Sequence, residues 1–310
     1  MVSFMRSRLV VEIAGLKLSN PTMLAAGILG MTSASLKEAT NRGAGAVVTK
    51  SIGLRPREGY PNPTVTQVAC GLLNAMGLPN PGIDEFKEEI KEAKQSETRV
   101  PLIVSIYGFS TSEFVKVAKV AAEAGADALE LNVSCPHVKE TGAEIGQNKD
   151  LVAEVVREVK TNVEKPVFVK LTANVADVVG VAKGAVEAGA DALVAINTVR
   201  AMAIDVETAR PILANKIGGL SGPAIKPIAV RCVYEIYREV GVPIVGCGGI
   251  TSWRDAVEFM LAGASAVQIG TAIATRGLGV FKSITRGINV YLKRKGFRSV
   301  KEIVGLSHHR

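Results

Sequence analysis

Cys135 stands in the stretch LELNVSCPHVKETG, between a serine and a proline, where a strand-like run stops. A structural cysteine usually lies inside an apolar run, so a thiol just past the polar Asn132 is placed for access. Lys50 in VVTKS and Lys170 in VFVKLT end two other apolar runs, and Asn197 and Thr198 end a third. Lysine brings a point charge and asparagine a donor and acceptor together, which suits an anionic, planar, hydrogen-bonding ligand with an amide or imide edge. No pair of carboxylates accompanies them, which argues against glycoside hydrolysis and against a hard-metal site. Glycines complete the set: Gly248 and Gly249 in GCGGI, and Gly270 before Thr271 in VQIGTA. N–H groups freed by glycine, with a helix start such as Thr251-Ser252 before WRDAVEFM, form a phosphate site. Flavin mononucleotide (FMN) would use both features, its phosphate at the Gly248 and Gly270 turns and Lys170 near the pyrimidine edge of its ring. A barrel-interior ion pair is the other reading of Lys170.

The elements that must position these residues follow one grammar. ATNRGAGAVVTKS, AAEAGADALELNV, AVEAGADALVAIN and MLAGASAVQIGT each run from a helical stretch through a glycine, Gly43, Gly125, Gly189 or Gly263, into an apolar strand. VPLIVSIY, KPVFVKLT and VPIVGCGG open their strands with proline, which stops a helix and is tolerated at a strand's first residue. With PTMLAAG this predicts eight strands, at 23–27, 46–51, 102–107, 128–133, 167–171, 192–197, 243–249 and 266–271. Helical periodicity fills most of the spaces between them, as in LVAEVVREVKTNV. Eight alternations with near-continuous apolar strands imply a parallel (β/α)8 TIM barrel, with an open doubly wound sheet as the alternative. LVVEIAGLKLSN reads as an N-terminal β-hairpin around Ala14-Gly15 closing the barrel floor. Two connections, Gly53 to about Gly82 and Thr198 to about Gly222, are too long for ordinary barrel loops and leave the C-terminal face as lids or binding walls.

Composition narrows the classes. The 310 residues, 47% hydrophobic, suffice for one domain spanning 1–310. No apolar run spans a bilayer and the N-terminus lacks a signal-peptide pattern, so a soluble, cytoplasmic protein is expected. Cys70, Cys135, Cys232 and Cys247 show no metal-ligand spacing, so reduced thiols and no metal site are expected. The net charge of +8 is dispersed and only 5% of residues are aromatic, which argues against nucleic acid.

The strings NVSCP, TKS, NAMGLPNPG, INTVRAMAID, KIGGLSGPAIKP, GCGGI and VQIGTA, in this order over roughly residues 10–275, strongly resemble the class 1 dihydroorotate dehydrogenases. SCPHVKETGAEIG and RPILANKIGGLSGPAIKP resemble the NAD-linked subtype, 1B, which works with a separate electron-transfer subunit carrying FAD and a 2Fe-2S cluster. The resemblance implies oxidation of dihydroorotate to orotate in pyrimidine biosynthesis, with FMN as cofactor and a homodimeric core within a heterotetramer. It implies that Cys135 is the general base at C5, with Lys50 beside it, and that hydride leaves C6 for the flavin. Substrate would be held by Lys50, Asn74, Ala75, Met76, Gly77, Leu78, Asn132, Asn197 and Thr198. Cofactor would be held by Ala26, Gly27, Lys50, Ser51, Ser105, Asn132, Lys170, Ile196, Gly222, Gly248, Gly249, Gly270 and Thr271. A free thiol has a pKa of about 8.5, so Cys135 would need Lys50 or Ser134 to ionise near neutrality.

His137, Ala26, Ser105 and Ala201 depart from the family's usual asparagine, serine, asparagine and glycine. Ser105 is the shorter side chain, which leaves its flavin contact in question, and His137 is either a proton relay or a solvent-facing loop residue. His308 and His309 read as a surface tail, and Cys70, Cys232 and Cys247 as structural. A fumarate- or quinone-linked enzyme, another pyrimidine-acting FMN barrel, a flavin-free phosphate-binding isomerase or lyase, and a noncatalytic scaffold are the rival readings.

Overall fold

The computed structural model describes residues 8–95, 100–134 and 145–309. Eight parallel strands close into a barrel: β1 (Thr22–Leu24), β2 (Ala46–Val48), β3 (Leu102–Ile106), β4 (Ala128–Asn132), β5 (Val167–Leu171), β6 (Ala192–Ala195), β7 (Ile244–Cys247) and β8 (Ala264–Ile269). Each pairs with its neighbours in sequence, and β8 closes on β1. Seven helices follow the first seven strands: α1 (Ser33–Asn41), α2 (Ile83–Lys94), α3 (Thr111–Glu123), α4 (Lys149–Asn162), α5 (Val178–Glu187), α6 (Lys226–Tyr237) and α7 (Trp253–Ala262). A short α8 (Ala272–Arg276) and a long α9 (Val280–Lys295) come after β8.

Both kinds of helix-to-strand joint read from the sequence are built as expected. Gly43, Gly125, Gly189 and Gly263 all carry positive φ, 102°, 109°, 104° and 126°, a conformation costly for residues with a Cβ. Pro101, Pro166 and Pro243 lack an N–H, yet their carbonyls accept from Val47, Leu129 and Leu193 and so start the ladder. Strands β3, β4 and β5 are buried along their whole length, because the barrel interior is filled on one face and the helices cover the other.

Most strands stop earlier than the apolar runs suggest. The first ends at Leu24 rather than 27, the second at Val48 rather than 51, the sixth at Ala195 rather than 197, and the eighth at Ile269 rather than 271, having begun at Ala264 rather than 266. Residues such as Lys50 and Asn197 therefore lie beyond the ladder, on chain that turns over the mouth. The N-terminal hairpin pairs Val11–Ile13 with Leu16–Leu18 around Ala14 (φ 50°) and Gly15 (φ 80°), and it packs against β8.

The two long connections are not irregular lids. They join in one antiparallel sheet in the order Val199–Met202, Ile217–Ser221, Gly71–Asn74, Val65–Val68, with a small hairpin of Ile204–Asp205 and Arg210–Pro211 beside it. Glycines 71, 218 and 219 weaken the sequence signal for these strands, because strands rarely carry so many. The C-terminal tail is also corrected. His308 stacks on Tyr234 at 3.9 Å between ring centroids and lies 5.0 Å from Tyr237. Among the described residues no helix is long and apolar enough to cross a membrane.

Candidate active site

A cavity of about 750 Å³ opens between the C-terminal ends of the barrel strands and the lid sheet. Its floor is a polar network that the barrel strands hold in register. Ser105 on β3 is fully buried and its Oγ lies 2.9 Å from Ser51 Oγ. Asn132 Nδ2 donates to Ser51 Oγ at 3.0 Å, and Asn197 Nδ2 donates to Asn132 Oδ1 at 3.3 Å. Ser51, Asn132 and Asn197 line the cavity, whereas Ser105 reaches it only through Ser51. A chain of this kind fixes amide orientation, since each group has its partner chosen for it.

Beside this network lies a second cluster. Lys170 is 5% exposed, and its Nζ stands 3.0 Å from Gln268 Oε1 and 3.4 Å from Glu130 Oε1. Gln268 Nε2 in turn donates to Glu130 Oε2. Burial opposes the charge on Lys170, but the Glu130 carboxylate, with Cys247 nearby, outweighs it and raises the ammonium above its ordinary value. Lys170 is therefore ion-paired inside the barrel and also lines the cavity. Burial also raises the Cys247 thiol, against the pull of Lys170. Cys247, taken from the sequence as structural, lines the cavity, while Cys232 is buried in α6 and Cys70 is exposed.

The phosphate-like end is made of turns. Gly248 (φ 127°), Gly249 (φ 74°) and Gly222 (φ 96°) line one side, and a Cβ on Gly249 would lie 2.7 Å from Lys226 Cβ. No acceptor within the described residues meets the N–H groups of Gly248, Gly249 or Thr271. Thr271 Oγ1 donates to Ser221 Oγ at 2.8 Å and ties this end to the lid. The helix start at Thr251-Ser252 does not contribute as expected. Asp255 Oδ2 accepts from both N–H groups, at 3.0 and 2.8 Å, so α7 is capped by its own carboxylate.

The lid supplies the remaining wall. Asn74 Nδ2 donates to Gly219 O across the sheet at 3.1 Å, and Ala75, Met76, Gly77 and Leu78 continue along the cavity. Leu78 carries φ 59° and Gly77 φ 75°. Asn80, 5% exposed, holds that bend: its Oδ1 accepts from Gly53 and Gly82, and its Nδ2 donates to Leu78 O and Tyr107 Oη. Asn174 Nδ2 donates to Thr198 O, which sets the sixth strand end. Ala26, Gly27, Lys50, Ile196, Thr198 and Gly270 line the same cavity.

Cys135 and His137 lie outside the described residues. Ser134, the residue before Cys135, lines the cavity with a buried Oγ that has no hydrogen-bond partner among the described residues. Glu130, Gln268 and Asn80 were missed from the sequence. Glu130 was legible as the one charge in the apolar run ALELN, two positions before Asn132 and so on the same strand face. No group of three or more metal-ligating side chains occurs among the described residues.

The parallel barrel and its mouth, with a buried cation at one end and, at the other, glycine N–H groups that meet no acceptor among the described residues, place the chain among the (β/α)8 barrels with a cavity at the C-terminal strand ends. The family model described as "Dihydroorotate dehydrogenase" matches residues 8–292. Among similar proteins, that of Methanosarcina mazei is 53% identical over 304 residues, covering 98% of this chain and 96% of its own. The relative from Pyrococcus abyssi is 53% identical over 299 residues, and that from Methanocaldococcus jannaschii 52% over 302, each covering at least 96% of both chains. All three are named dihydroorotate dehydrogenase B (NAD(+)), catalytic subunit. The chain belongs to the dihydroorotate dehydrogenase family.

Proposed function

We propose that this chain is an FMN-dependent catalytic subunit that oxidises dihydroorotate to orotate in pyrimidine biosynthesis. Electrons then pass to NAD through a partner subunit. The observation that carries this reading is the convergence of Lys50, Asn74, Asn132 and Asn197 on one cavity in a chain of this family. FMN fits the cavity by its chemistry. The N–H groups of Gly248, Gly249 and Thr271, which meet no acceptor among the described residues, suit its phosphate, and the Lys170 ammonium suits the electron-rich edge of its ring. Bound there, the flavin supplies the hydride acceptor.

The chain's own residues do the rest. Lys50 pairs with the substrate carboxylate, while the Asn132 and Asn197 amides, held by Ser51 and each other, present fixed donors and acceptors to its ring. Cys135 takes the proton from C5 as a thiolate, a form that the charge of Lys50 and the hydroxyl of Ser134 would favour. Lid residues 74–78 exclude water over the bound substrate. Residues 1–310 act as one domain. The partner would carry FAD and a 2Fe-2S cluster, with two catalytic chains at the core of a heterotetramer; the relatives' names, which include "catalytic subunit" and "NAD(+)", support a separate acceptor-side subunit.

Anaerobic mixing of the purified protein with dihydroorotate should bleach flavin absorbance near 450 nm, and NAD should restore it only when the partner subunit is added. Recovery with fumarate alone would move the chain to the fumarate-linked subtype, and protein without flavin colour would remove the cofactor from the reading. Cys135→Ala should keep FMN and lose bleaching by about 10²-fold or more. In the unaltered protein the bleaching rate should rise with pH through the thiol's titration, because only the thiolate accepts the proton. A pH-independent rate would assign the proton transfer elsewhere.

A further inference from the structure

Glu130 is fully buried in the barrel, does not line the cavity, and has no role in the reading above. Its two oxygens are nonetheless committed. Oε1 faces Lys170 Nζ at 3.4 Å, Oε2 accepts from Gln268 Nε2, and Gln268 Oε1 closes the triangle on Lys170 Nζ at 3.0 Å. Three strands, β4, β5 and β8, each give one member. Among the described residues, the ionisable groups that act on the ammonium are Glu130 on β4 and the Cys247 thiol on β7; the stretch Ala192–Ala195 of the adjoining β6 is apolar.

We propose that Glu130 is the positioning residue that holds the Lys170 ammonium, charged and fixed in place, at the cavity floor against the ring of the bound flavin. A buried ion pair is weak evidence for a stability role, since an apolar pair of similar volume is often as stable. A lone buried ammonium, by contrast, gives up its proton readily. Direction matters as well: a four-carbon stem is floppy, and the carboxylate with Gln268 leaves Nζ one position. The inference rests on FMN as the cofactor, because it assigns Lys170 its target.

The test compares the flavin-loaded protein with Glu130→Gln, Lys170→Met and the double variant, reading the flavin midpoint potential from pH 6 to 9. If the unaltered protein retains no FMN, the cofactor reading fails and Glu130 is not at issue. With FMN bound, Glu130→Gln should show a potential that falls below the unaltered protein's increasingly as pH rises, because Lys170 loses its proton and the ring edge its cation. The double variant should match Lys170→Met alone. A Glu130→Gln profile parallel to the unaltered one, or an effect that adds to that of Lys170→Met, would overturn the proposal. Should Glu130→Gln fail to fold, Glu130→Leu with Lys170→Met decides: a folded double variant supports compensation of the buried ammonium, and an unfolded one makes Glu130 a scaffold residue.

Discussion

Four donors converge on Asp255 Oδ2: the N–H groups of Thr251 and Ser252 and their two hydroxyls, at 2.8 to 3.0 Å. Lys226 Nζ adds an ion pair to Oδ1 at 2.8 Å. Burial works against this carboxylate, but the bonds from Lys226, Thr251 and Ser252 prevail and bring its pKa to about 2 from an ordinary 3.8. The consequence reaches the site, because N–H groups bound by Asp255 are not offered to a ligand and the neighbouring glycine turns must do that work. The pKa is depressed on folding, so the associated stability is fully present above about pH 4 and is lost as pH falls towards 2. Asp255→Asn should cost about 1 to 2 kcal/mol at pH 7 by loss of the charged cap, and should flatten the acid limb of a urea-denaturation series. An unchanged acid limb would show that the cap contributes no pH-linked stability.

The lid sheet depends on backbone contacts that side chains would block. A Cβ on Gly71 would stand 1.9 Å from Ser221 O, and one on Gly218 2.5 Å from Asn74 O. Gly71→Ala should push the Gly71–Asn74 strand off Ile217–Ser221 and shift Asn74 by a sizeable fraction of an ångström. Misplacement on that scale costs up to about 10²-fold, so KM for dihydroorotate should rise tenfold or more while Tm changes little, because the barrel beneath is untouched. A normal KM would mean that the lid sheet does not position Asn74. The same elements mark how far the sequence can be read. Barrel strands were legible because apolar runs bracketed by Gly43, Gly125, Gly189, Gly263 and three prolines have a local cause. The lid strands were not, because they exist only through pairing between distant segments, such as Leu73 with Leu220, 147 positions apart. The site divides in the same way. Residues at strand ends, Lys50, Asn132, Lys170 and Asn197, follow from the barrel rule, whereas Glu130 lies two residues further into its strand than Asn132, Gln268 meets it from β8, and Ser105 faces Ser51, contacts set by register alone.

Across the whole molecule, the two ends of the barrel do different work, and the C-terminal tail belongs to the end away from the cavity. Helix α7 ends at Ala262 just before β8 begins, and the tail brings donors to its last carbonyls. Gly305 N–H donates to Met260 O at 2.9 Å and Ser307 Oγ to Leu261 O at 2.7 Å, while His308 Nε2 lies 3.0 Å from Ala262 O. The His308 ring stacked on Tyr234 then fastens the tail to α6 as well, so one short segment bridges two neighbouring helices. Each hydrogen bond contributes about 1 kcal/mol and the ring stack about as much again. Removing residues 306–310 should therefore lower stability by roughly 2 to 3 kcal/mol, a fall in Tm of several degrees for a chain of this size. Bleaching by dihydroorotate at 25 °C should be unchanged, because no described residue of the segment lines the cavity. Loss of bleaching at an unaltered Tm would show the two ends to be coupled, and the separation of stability from chemistry along the barrel axis would not hold for this chain.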